Sequence, residues 1–478
     1  MTQAALLNQP RFMREEPQPA ITPAQAAAIP RWIEAGPPAL ADIRSAAFGA
    51  LRKTGLPHKG SEDFTFIRVG EFLPHLGPPA ETRPEPSETP QPLAKNAARL
   101  PTLEELESQL VAEAKDAYLV LVDGVYHAGL SKFGSDFQVS TLSEGKLGAE
   151  ARATLEHIAA EETDAVAALG MIFSRDPLVI QVAAKTVPAG PLLVLHFHTG
   201  SGTRSDALVV CYAGKHSQSE ILVRHSTLGD SVTSAQAVAT GSLENVHTVA
   251  LLDEGSSLRF LEAGAFGDES LNRDLHFRKF TARLQRDSRL VAVSAHTGSR
   301  LTRNSFAVDL AGEGAEAEIN GAVVLIGGRQ SHNFVRLRHL VPHCVSRQLF
   351  KSVAADQSRS SVDGAIYVAK HAQQTNAYQI INNLMLSDEA RADSKPQLMI
   401  HADDVKCSHG STSGKLDPAQ QFYLESRGLP PMQARALLTV AFIAEVLGKA
   451  DKAGFRAVLD HALLDTLKDR LPAAAKGA

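Results

Sequence analysis

A cysteine and a histidine two residues apart form the pair in this sequence whose types and spacing best suit chemistry. Cys407 and His409 flank Ser408 near the end of a long run of β-type sequence. If this segment is extended, alternate side chains share one face, and the two Cα atoms lie roughly 6.5 to 7 Å apart. Sulfur and imidazole nitrogen are donors that iron accepts in clusters. A cluster normally takes four ligands, so the missing donors would come from another chain or a transient substrate.

The spacing of this pair alone does not assign it to iron. Cysteine is among the most buried residue types, and a histidine beside it is often a hydrogen-bonded structural residue. A Cys-x-His pair also lacks the second pair of ligands that makes a metal motif specific. At the level of the residues, both interpretations stay open.

Two neighbouring motifs suggest chemistry that their spacing does not support. The segment Gly410–Lys415 is one residue shorter than a phosphate-binding loop, and Leu416 stands where a hydroxyl should coordinate magnesium. Asp403 and Asp404 are adjacent, so on a strand they point to opposite faces and cannot act as a joint acid–base pair. We therefore expect any nucleotide to bind a partner chain instead.

A second histidine pair has the spacing of a metal site but not the right secondary structure. His339 and His343, followed by Cys344, would align as ligands only on a helix, whereas Phe334 to Leu340 alternates as a strand. We interpret these residues as polar positions near a turn. Gln379 is likewise expected to form hydrogen bonds between strands.

The elements that position these residues change in character along the chain. Ala41 to Lys53 has the apolar periodicity of a helix. Leu73 to Pro92 is dense in proline, which removes backbone donors and predicts a linker. Tyr118 to Val122, Asp123-Gly124 and Val125-Tyr126 predict a hairpin, because its turn requires residues that tolerate positive φ.

A β-rich region extends from about Leu192 to about His409. Short β-branched or alternating runs are separated there by Gly, Asp, Asn and Ser, and no helix-length periodicity interrupts them. Parallel strands in ordinary α/β folds require crossover helices, so the region predicts a sandwich, a propeller or a β-solenoid. The short strands and frequent turn residues favour the solenoid, although no strict repeat length fits.

The chain returns to helix after this region. Asp417 is a candidate N-cap, Pro418 suits the first helical position, and Pro430-Pro431 opens a further helix. The predicted organisation is an N-terminal helical region (1–73), a Pro-rich linker with a connecting helix (74–116), a hairpin and mixed connecting region (117–190), a parallel β-helix core (191–414) and a C-terminal helical domain (415–478).

Composition excludes several classes of function. The 478 residues are 44% hydrophobic and 21% charged with a net charge of -5, so we expect a folded protein with no general attraction to nucleic acid or anionic lipid. The N-terminus carries no secretory signal pattern, and no apolar run is long enough for a bilayer. Three scattered cysteines fit a reducing compartment, which predicts a cytoplasmic protein.

Several long motifs resemble the SufB/SufD family of iron–sulfur cluster assembly scaffolds. ADDVKCSHGSTSG (402–414) followed by LDPAQQFYLESRGLP (416–430) is similar to the carboxy-terminal signature of that family. HLVPHCVSRQLFKSV (339–353) and LMLSDEARADSKPQL (384–398) also resemble the family core. The resemblance is strong from about Ser305 to Leu447 and loose before it.

The resemblance implies a mainly β protein, with a right-handed parallel β-helix between N- and C-terminal helical domains and no catalytic activity of its own. It implies a SufB-type partner bound through the β-helix, with His409 at that interface as a transient ligand to iron or a nascent cluster and Cys407 as its neighbour. It also implies a SufC-type ATPase docked on the C-terminal helices, where the apolar stripe Leu438, Phe442, Ile443 and Val446 lies. No cofactor is expected to stay bound to the isolated chain, which could form a homodimer.

Within the family, the short list of cysteines favours the SufD branch over the SufB branch. Gly55-Leu56-Pro57 followed by Glu62-Asp63-Phe64 is similar to a SufD pattern, although the aromatic residue differs. A SufB-like scaffold is the first alternative. A β-helix carbohydrate enzyme is the second, and the 5% aromatic content with a single tryptophan, Trp32, argues against it.

Overall fold

Two long sheets built from alternate strands of the chain form the body of the protein. The computed structural model describes residues 23–76, 99–199, 204–228, 242–264, 273–450 and 453–467. Sheet A has the order β19-β17-β15-β13-β11-β9-β7-β5-β1-β2, and sheet B has the order β18-β16-β14-β12-β10-β8-β6-β4-β3. Each coil thus contributes one strand to each sheet.

The strands are β1 (Tyr118–Val122), β2 (Val125–Tyr126), β3 (Gln138–Thr141), β4 (Leu178–Val182), β5 (Leu192–His198), β6 (Arg204–Ala213), β7 (Gln218–Thr227), β8 (Leu243–Leu252), β9 (Ser257–Ala263), β10 (Leu275–Leu284), β11 (Arg289–His296), β12 (Leu301–Leu310), β13 (Glu316–Leu325), β14 (Gln330–His339), β15 (Val345–Ala354), β16 (Arg359–Val368), β17 (Thr375–Met385), β18 (Arg391–Ile400) and β19 (Val405–Gly414). The helices are α1 (Pro23–Ala35), α2 (Ala41–Thr54), α3 (Leu103–Gln109), α4 (Ala149–Ala160), α5 (Ala165–Phe173), α6 (Pro418–Ser426), α7 (Pro431–Leu447) and α8 (Ala453–Leu467).

Neighbouring strands from β4 onward run parallel and in register, which stacks similar side chains inside the coil. Phe280 of β10 pairs with Phe306 of β12, and their rings lie 6.3 Å apart. Phe260 and Phe350 of sheet A extend this column, with ring distances of 4.5 and 6.2 Å to Phe280 and Phe306 respectively. Aromatic stacking of this kind adds to the free energy gained by burial, so this column forms an apolar core within the lumen.

Several turns from sheet B back to sheet A share one backbone conformation. One residue of the turn has positive φ: His216 (56°) between β6 and β7, Asp287 (53°) between β10 and β11, and His343 (61°) between β14 and β15. The next residue is small and buried, for example Ser217 or Cys344. A tight turn needs this conformation, and Asp, Asn and His tolerate it better than most residues. Cys344 is therefore a small turn residue of the fold.

The N-terminal helices cover the outer face of sheet B. Helices α1, α2, α4 and α5 share one apolar cluster with outward-facing residues of β4, β6, β8 and β10. Asp164 fastens this layer, because its carboxylate caps α5 at the amides of Val166 (3.0 Å) and Ala167 (3.4 Å) and pairs with buried Arg303 of β12. The Arg303 guanidinium lies over the Phe64 ring at 4.4 Å. Burial raises the pKa of Asp164, but Arg303 and Lys279 outweigh it and lower the pKa to about 2.

The C-terminal helices cover the outer face of sheet A. Helices α7 and α8 share an apolar cluster with α3 and with outward residues of β5, β7, β11, β13 and β15. One ion pair fixes α7 to β15, from Lys351 to Glu445 at 2.6 Å, and a second fixes the turn after α7 to β13, from Lys449 to Glu318 at 2.8 Å. Asp417 caps α6 by accepting from the Ala419 amide at 2.8 Å, and Pro418 opens that helix as expected.

The predicted fold class, a mainly β parallel β-helix with helices at both ends, is confirmed. The hairpin of β1 and β2 is also confirmed, with Asp123 and Gly124 at positive φ. The parallel ladders begin earlier than residue 191, because β1 pairs with β5 and β4 pairs with β6. Most of the predicted proline-rich linker lies outside the described residues. No helix in the described part of the chain is both long and apolar enough to cross a bilayer.

Replacing Asp164 by Ala is expected to lower the free energy of unfolding by about 3 to 5 kcal/mol, because Arg303 would be left buried without its partner carboxylate. Chemical denaturation would measure this loss. Lys132→Ala is the control, since Lys132 pairs with Asp116 at 2.6 Å where both side chains are exposed. That change should cost less than about 1 kcal/mol. Equal losses for the two variants would contradict the assignment of Asp164 as the anchor.

Candidate functional site

The Cys407–His409 pair lies on β19, the last strand of sheet A. Cys407 is in register with Ala377 and His409 with Gln379 of β17, and both β17 residues are buried. Alternate residues of a strand share a face, so Cys407 and His409 both belong to the lumen-facing side of the coil. Among the described residues no strand follows β19 or β18, so this side of the last coil is open. The predicted shared face of the pair is therefore present in the fold.

Cys407 is half-buried at this open end. Its side chain packs on a small apolar cluster that includes Ile366, Val368 and Ala377. Burial raises the pKa of the Cys407 thiol, and the Ala377 backbone amide partly offsets that effect. A thiol of raised pKa is a weak ligand until a metal displaces its proton.

His409 is exposed, and a glutamine pair lies beneath it in the lumen. Gln379 is 1% exposed, and its Nε2 donates to Oε1 of Gln348 at 3.0 Å. Gly364 of β16 faces this pair, because a Cβ atom there would lie 1.8 Å from Gln379 Nε2. The sequence predicted the interstrand hydrogen bond of Gln379 but not its position under His409. The register between β17 and β19 makes that position visible.

Exposed apolar side chains surround the open end. Tyr378 and Ile380 of β17 are 39% and 45% exposed, and Met399 and Ile400 of β18 are 39% and 38% exposed. Sequence reasoning missed this group, because each residue occurs in an ordinary strand pattern. Together with two sheet edges, it forms the kind of surface that a partner chain covers. We call the set of Tyr378, Ile380, Met399 and Ile400 the terminal apolar rim.

The two donors have no complete ligand set around them within the described ranges. No three side chains of His, Cys, Asp or Glu come together there to hold a metal ion.

A buried polar group elsewhere in the lumen is structural. His225 lies between Glu244 (2.9 Å) and Glu262 (3.1 Å), and Arg278 reaches Glu244 at 3.3 Å. Burial and Arg278 lower the pKa of His225, but the two carboxylates together outweigh them and raise it. Each carboxylate is thus paired with a basic side chain, which is how buried charged groups are tolerated.

The apolar stripe predicted to bind an ATPase consists of two buried and two half-buried residues. Ile443 and Val446 are 5% and 0% exposed, and they pack in the core between α7 and sheet A. They are therefore unavailable to a partner while α7 is docked. Leu438 and Phe442 are half-buried, and Lys351 Nζ lies 4.8 Å from the centre of the Phe442 ring.

An exposed apolar face lies next to this stripe and was not predicted. Phe422 and Tyr423 of α6 are 71% and 56% exposed, and Met432 and Leu437 of α7 are 47% and 37% exposed. We call these four residues the α6–α7 face. Its signal in the sequence is two consecutive aromatic residues on a helix, because neighbouring helical positions point about 100° apart and do not both face one core.

The remaining motifs take the structural roles that their spacing favoured. Gly410 to Lys415 continues or directly follows β19, so no phosphate loop forms, and Lys415 pairs with Asp388. His339 ends β14 and its Nε2 lies 2.8 Å from Ser346 Oγ, while His343 lies in the following turn and contacts Glu313 at 3.5 Å.

The fold and the site define a capped β-solenoid protein that presents a thiol and an imidazole on its open terminal coil. Residues 196–442, just over half of the chain, match the family model described as SUF system FeS cluster assembly, SufBD core domain. The chain belongs to this SufBD family, as the sequence motifs predicted.

Relatives in several bacteria support this membership. The iron-sulfur cluster assembly protein SufD of Escherichia coli is 35% identical over 201 residues, covering 42% of this chain and 47% of that protein. An iron-sulfur cluster assembly SufBD family protein of Synechocystis is 38% identical over 165 residues, covering 34% and 36% respectively. SufD of Bacillus subtilis is 33% identical over 153 residues, covering 32% and 34%. The chain thus spans less than half the length of these relatives.

Alkylation should distinguish the three cysteines of the folded protein. Burial raises the pKa of Cys211 to about 12 and that of Cys344 to about 11, and both side chains are inaccessible. Iodoacetamide should therefore modify Cys407 alone. Its rate should rise with pH from about 7 to about 9, because the thiolate is the nucleophile. Peptide mass spectrometry would measure this, with the unfolded protein as the control in which all three react. Equal native labelling of Cys344 and Cys407 would contradict the described packing.

Proposed function

We propose that this chain is a non-catalytic scaffold subunit of the SUF iron–sulfur cluster assembly complex. Its role is to help acquire iron and form a nascent cluster at an interface between subunits. The observation that carries the proposal is the exposed His409 beside half-buried Cys407 on an open terminal coil. Two donors on one face can begin to bind iron, and they cannot retain a four-ligand cluster alone. The cluster is therefore cargo, completed by ligands of a second chain.

A SufB-type scaffold is the proposed partner at the open end. Strands β18 and β19 each present an unpaired backbone edge, and such an edge can accept strands of another chain. The terminal apolar rim adds surface whose burial favours association. A partner seated there would place its own ligands within reach of His409. In the absence of that partner, two copies of this chain could pair through the same edges.

A SufC-type ATPase is the proposed partner at the α6–α7 face. Exposed aromatic side chains of this kind supply much of the binding energy of protein interfaces. Helix α6 contacts α7, and the ion pairs of Lys351 with Glu445 and of Lys449 with Glu318 fix α7 and the turn after it to β15 and β13. Strand β15 pairs with β17, and β17 pairs with β19. Movement of a bound ATPase could thereby reach the terminal coil through a short series of packed elements.

The assignment within the family and the compartment are part of the same proposal. The SufD relatives and the three cysteines favour the SufD branch over a SufB-like scaffold. We place the protein in the cytoplasm. A β-helix carbohydrate enzyme is disfavoured, because Trp32, the single tryptophan, donates to the Ile172 carbonyl at 3.0 Å within the N-terminal helical region and lines no groove of the solenoid.

Substitution of His409 by Ala tests the proposed site. Cluster formation on the reconstituted anaerobic complex should fall by about tenfold or more, because an iron donor is lost while the strand remains. Iron and sulfide content would be measured after reconstitution, together with recovery of subunit stoichiometry. Ser408→Ala is the matched control, since Ser408 lies next to His409 but on the opposite face of β19. Full cluster yield in the His409 variant would remove the site assignment.

Substitution of both Phe422 and Tyr423 by Ser tests the docking surface. The dissociation constant for the SufC-type ATPase should rise by about 30-fold, corresponding to about 2 kcal/mol, because two exposed aromatic contacts are lost. Calorimetry with the purified ATPase would measure it. Phe133→Ser, at a site 37% exposed outside the α6–α7 face, is the control. Unchanged affinity in the double variant, with folding intact, would show that the ATPase binds elsewhere.

A further inference from the structure

Three residues in register form a polar ladder inside the last coils of sheet A. Gln348 of β15, Gln379 of β17 and His409 of β19 are consecutive members of one lumen-facing row. The row is apolar one strand earlier, where Ile319 of β13 pairs with Gln348. Polar character therefore begins only two rungs below the exposed histidine. A structural core would not need it, since the preceding coils are filled by apolar side chains at this row.

One acceptor of this ladder is buried without a partner. Gln379 Nε2 donates to Gln348 Oε1 at 3.0 Å, whereas Gln379 Oε1 has no hydrogen-bond partner among the described residues. A buried unpaired acceptor costs about 1 to 3 kcal/mol. Gln379 uses its amide nitrogen toward the preceding rung, and its carbonyl oxygen is the group left for the following rung. The following rung is the imidazole of His409.

The space for this arrangement is made by a glycine on the other sheet. A Cβ atom at Gly364 would lie 1.8 Å from Gln379 Nε2 and 3.5 Å from Gln348 Oε1. The two glutamine side chains thus extend across the lumen to the backbone of β16. The position of the Gln379 amide is consequently fixed from below by Gln348 and from the side by Gly364.

We propose that Gln379 is a positioning residue for His409. When a partner covers the open end, Gln379 Oε1 accepts a hydrogen bond from one ring N–H of His409. That bond fixes the tautomer and aims the other ring nitrogen, with its lone pair, out of the lumen toward iron. Metal-binding histidines characteristically donate their second ring N–H to an oxygen acceptor in this way. This inference rests on the proposed function of His409 and adds the residue that orients it.

The test uses the assembled complex with this chain labelled with 15N-histidine. Gln379→Leu should reduce cluster yield by about tenfold. In the nitrogen NMR spectrum, the same change should move the His409 ring signals toward the values of a mixture of tautomers. These signals are assigned by their absence in the His409→Asn variant. Gln379→Glu keeps an acceptor oxygen and should restore both the yield and a single tautomer. Gly364→Ala should act like a weaker Gln379→Leu, because the added methyl displaces the amide without removing it.

The control separates positioning from stability. Gln348→Leu removes the same hydrogen bond of the ladder but leaves Gln379 Oε1 in place as an acceptor. The melting temperature of the Gln348→Leu variant should therefore fall as much as that of Gln379→Leu. Its cluster yield should stay above half of the unmodified value. Equal losses of yield in the two variants, with an unchanged ring spectrum, would overturn the inference and leave Gln379 a purely structural residue. An inactive His409→Ala beside a fully active Gln379→Leu would overturn the inference alone. A fully active His409→Ala would instead overturn the proposed function.

Discussion

In-register stacking of parallel strands is the constraint on which this structure depends. In each coil, side chains point inward and outward at the same positions as in the coil before it. A side chain is therefore stabilised by contact with the equivalent side chains of the two adjacent coils. The column of Phe260, Phe280, Phe306 and Phe350 follows from that repetition in apolar form. The ladder of Gln348 and Gln379 follows from the same repetition, with polar side chains in place of aromatic ones. The last coil has its side chains oriented in the same way but has a neighbouring coil on one side only, which leaves the candidate site exposed.

The helices divide the outside of the solenoid between them. Sheet B is covered from the N-terminal side through Asp164 and Arg303, and sheet A from the C-terminal side through α7 and α8. Both coverings bury apolar strand faces that would otherwise be exposed. The open end is left uncovered by either group in the described structure. The described part of the molecule thus combines a covered body with one uncovered end.

Alternation and turn chemistry were sufficient to predict the strands, the hairpin and the shared face of Cys407 and His409. They could not predict which side of α7 is buried, because an amphipathic stripe looks the same whether Ile443 and Val446 pack on their own chain or on another. The repeat length was hidden, since the spacing between paired strands is 39 residues from Arg204 to Leu243 but 29 from Gln330 to Arg359. Contacts such as that between Gly364 and Gln379 cross the lumen from one sheet to the other and leave no local pattern.

Pro396 lies in the middle of β18, in register with Gly364. Proline carries no amide hydrogen, so an incoming strand cannot form an uninterrupted ladder along this side of the molecule. The adjacent edge of β19 contains no proline and can be extended along its whole length. Growth is consequently permitted on one sheet and interrupted on the other, which opposes endless end-to-end polymerisation into fibres.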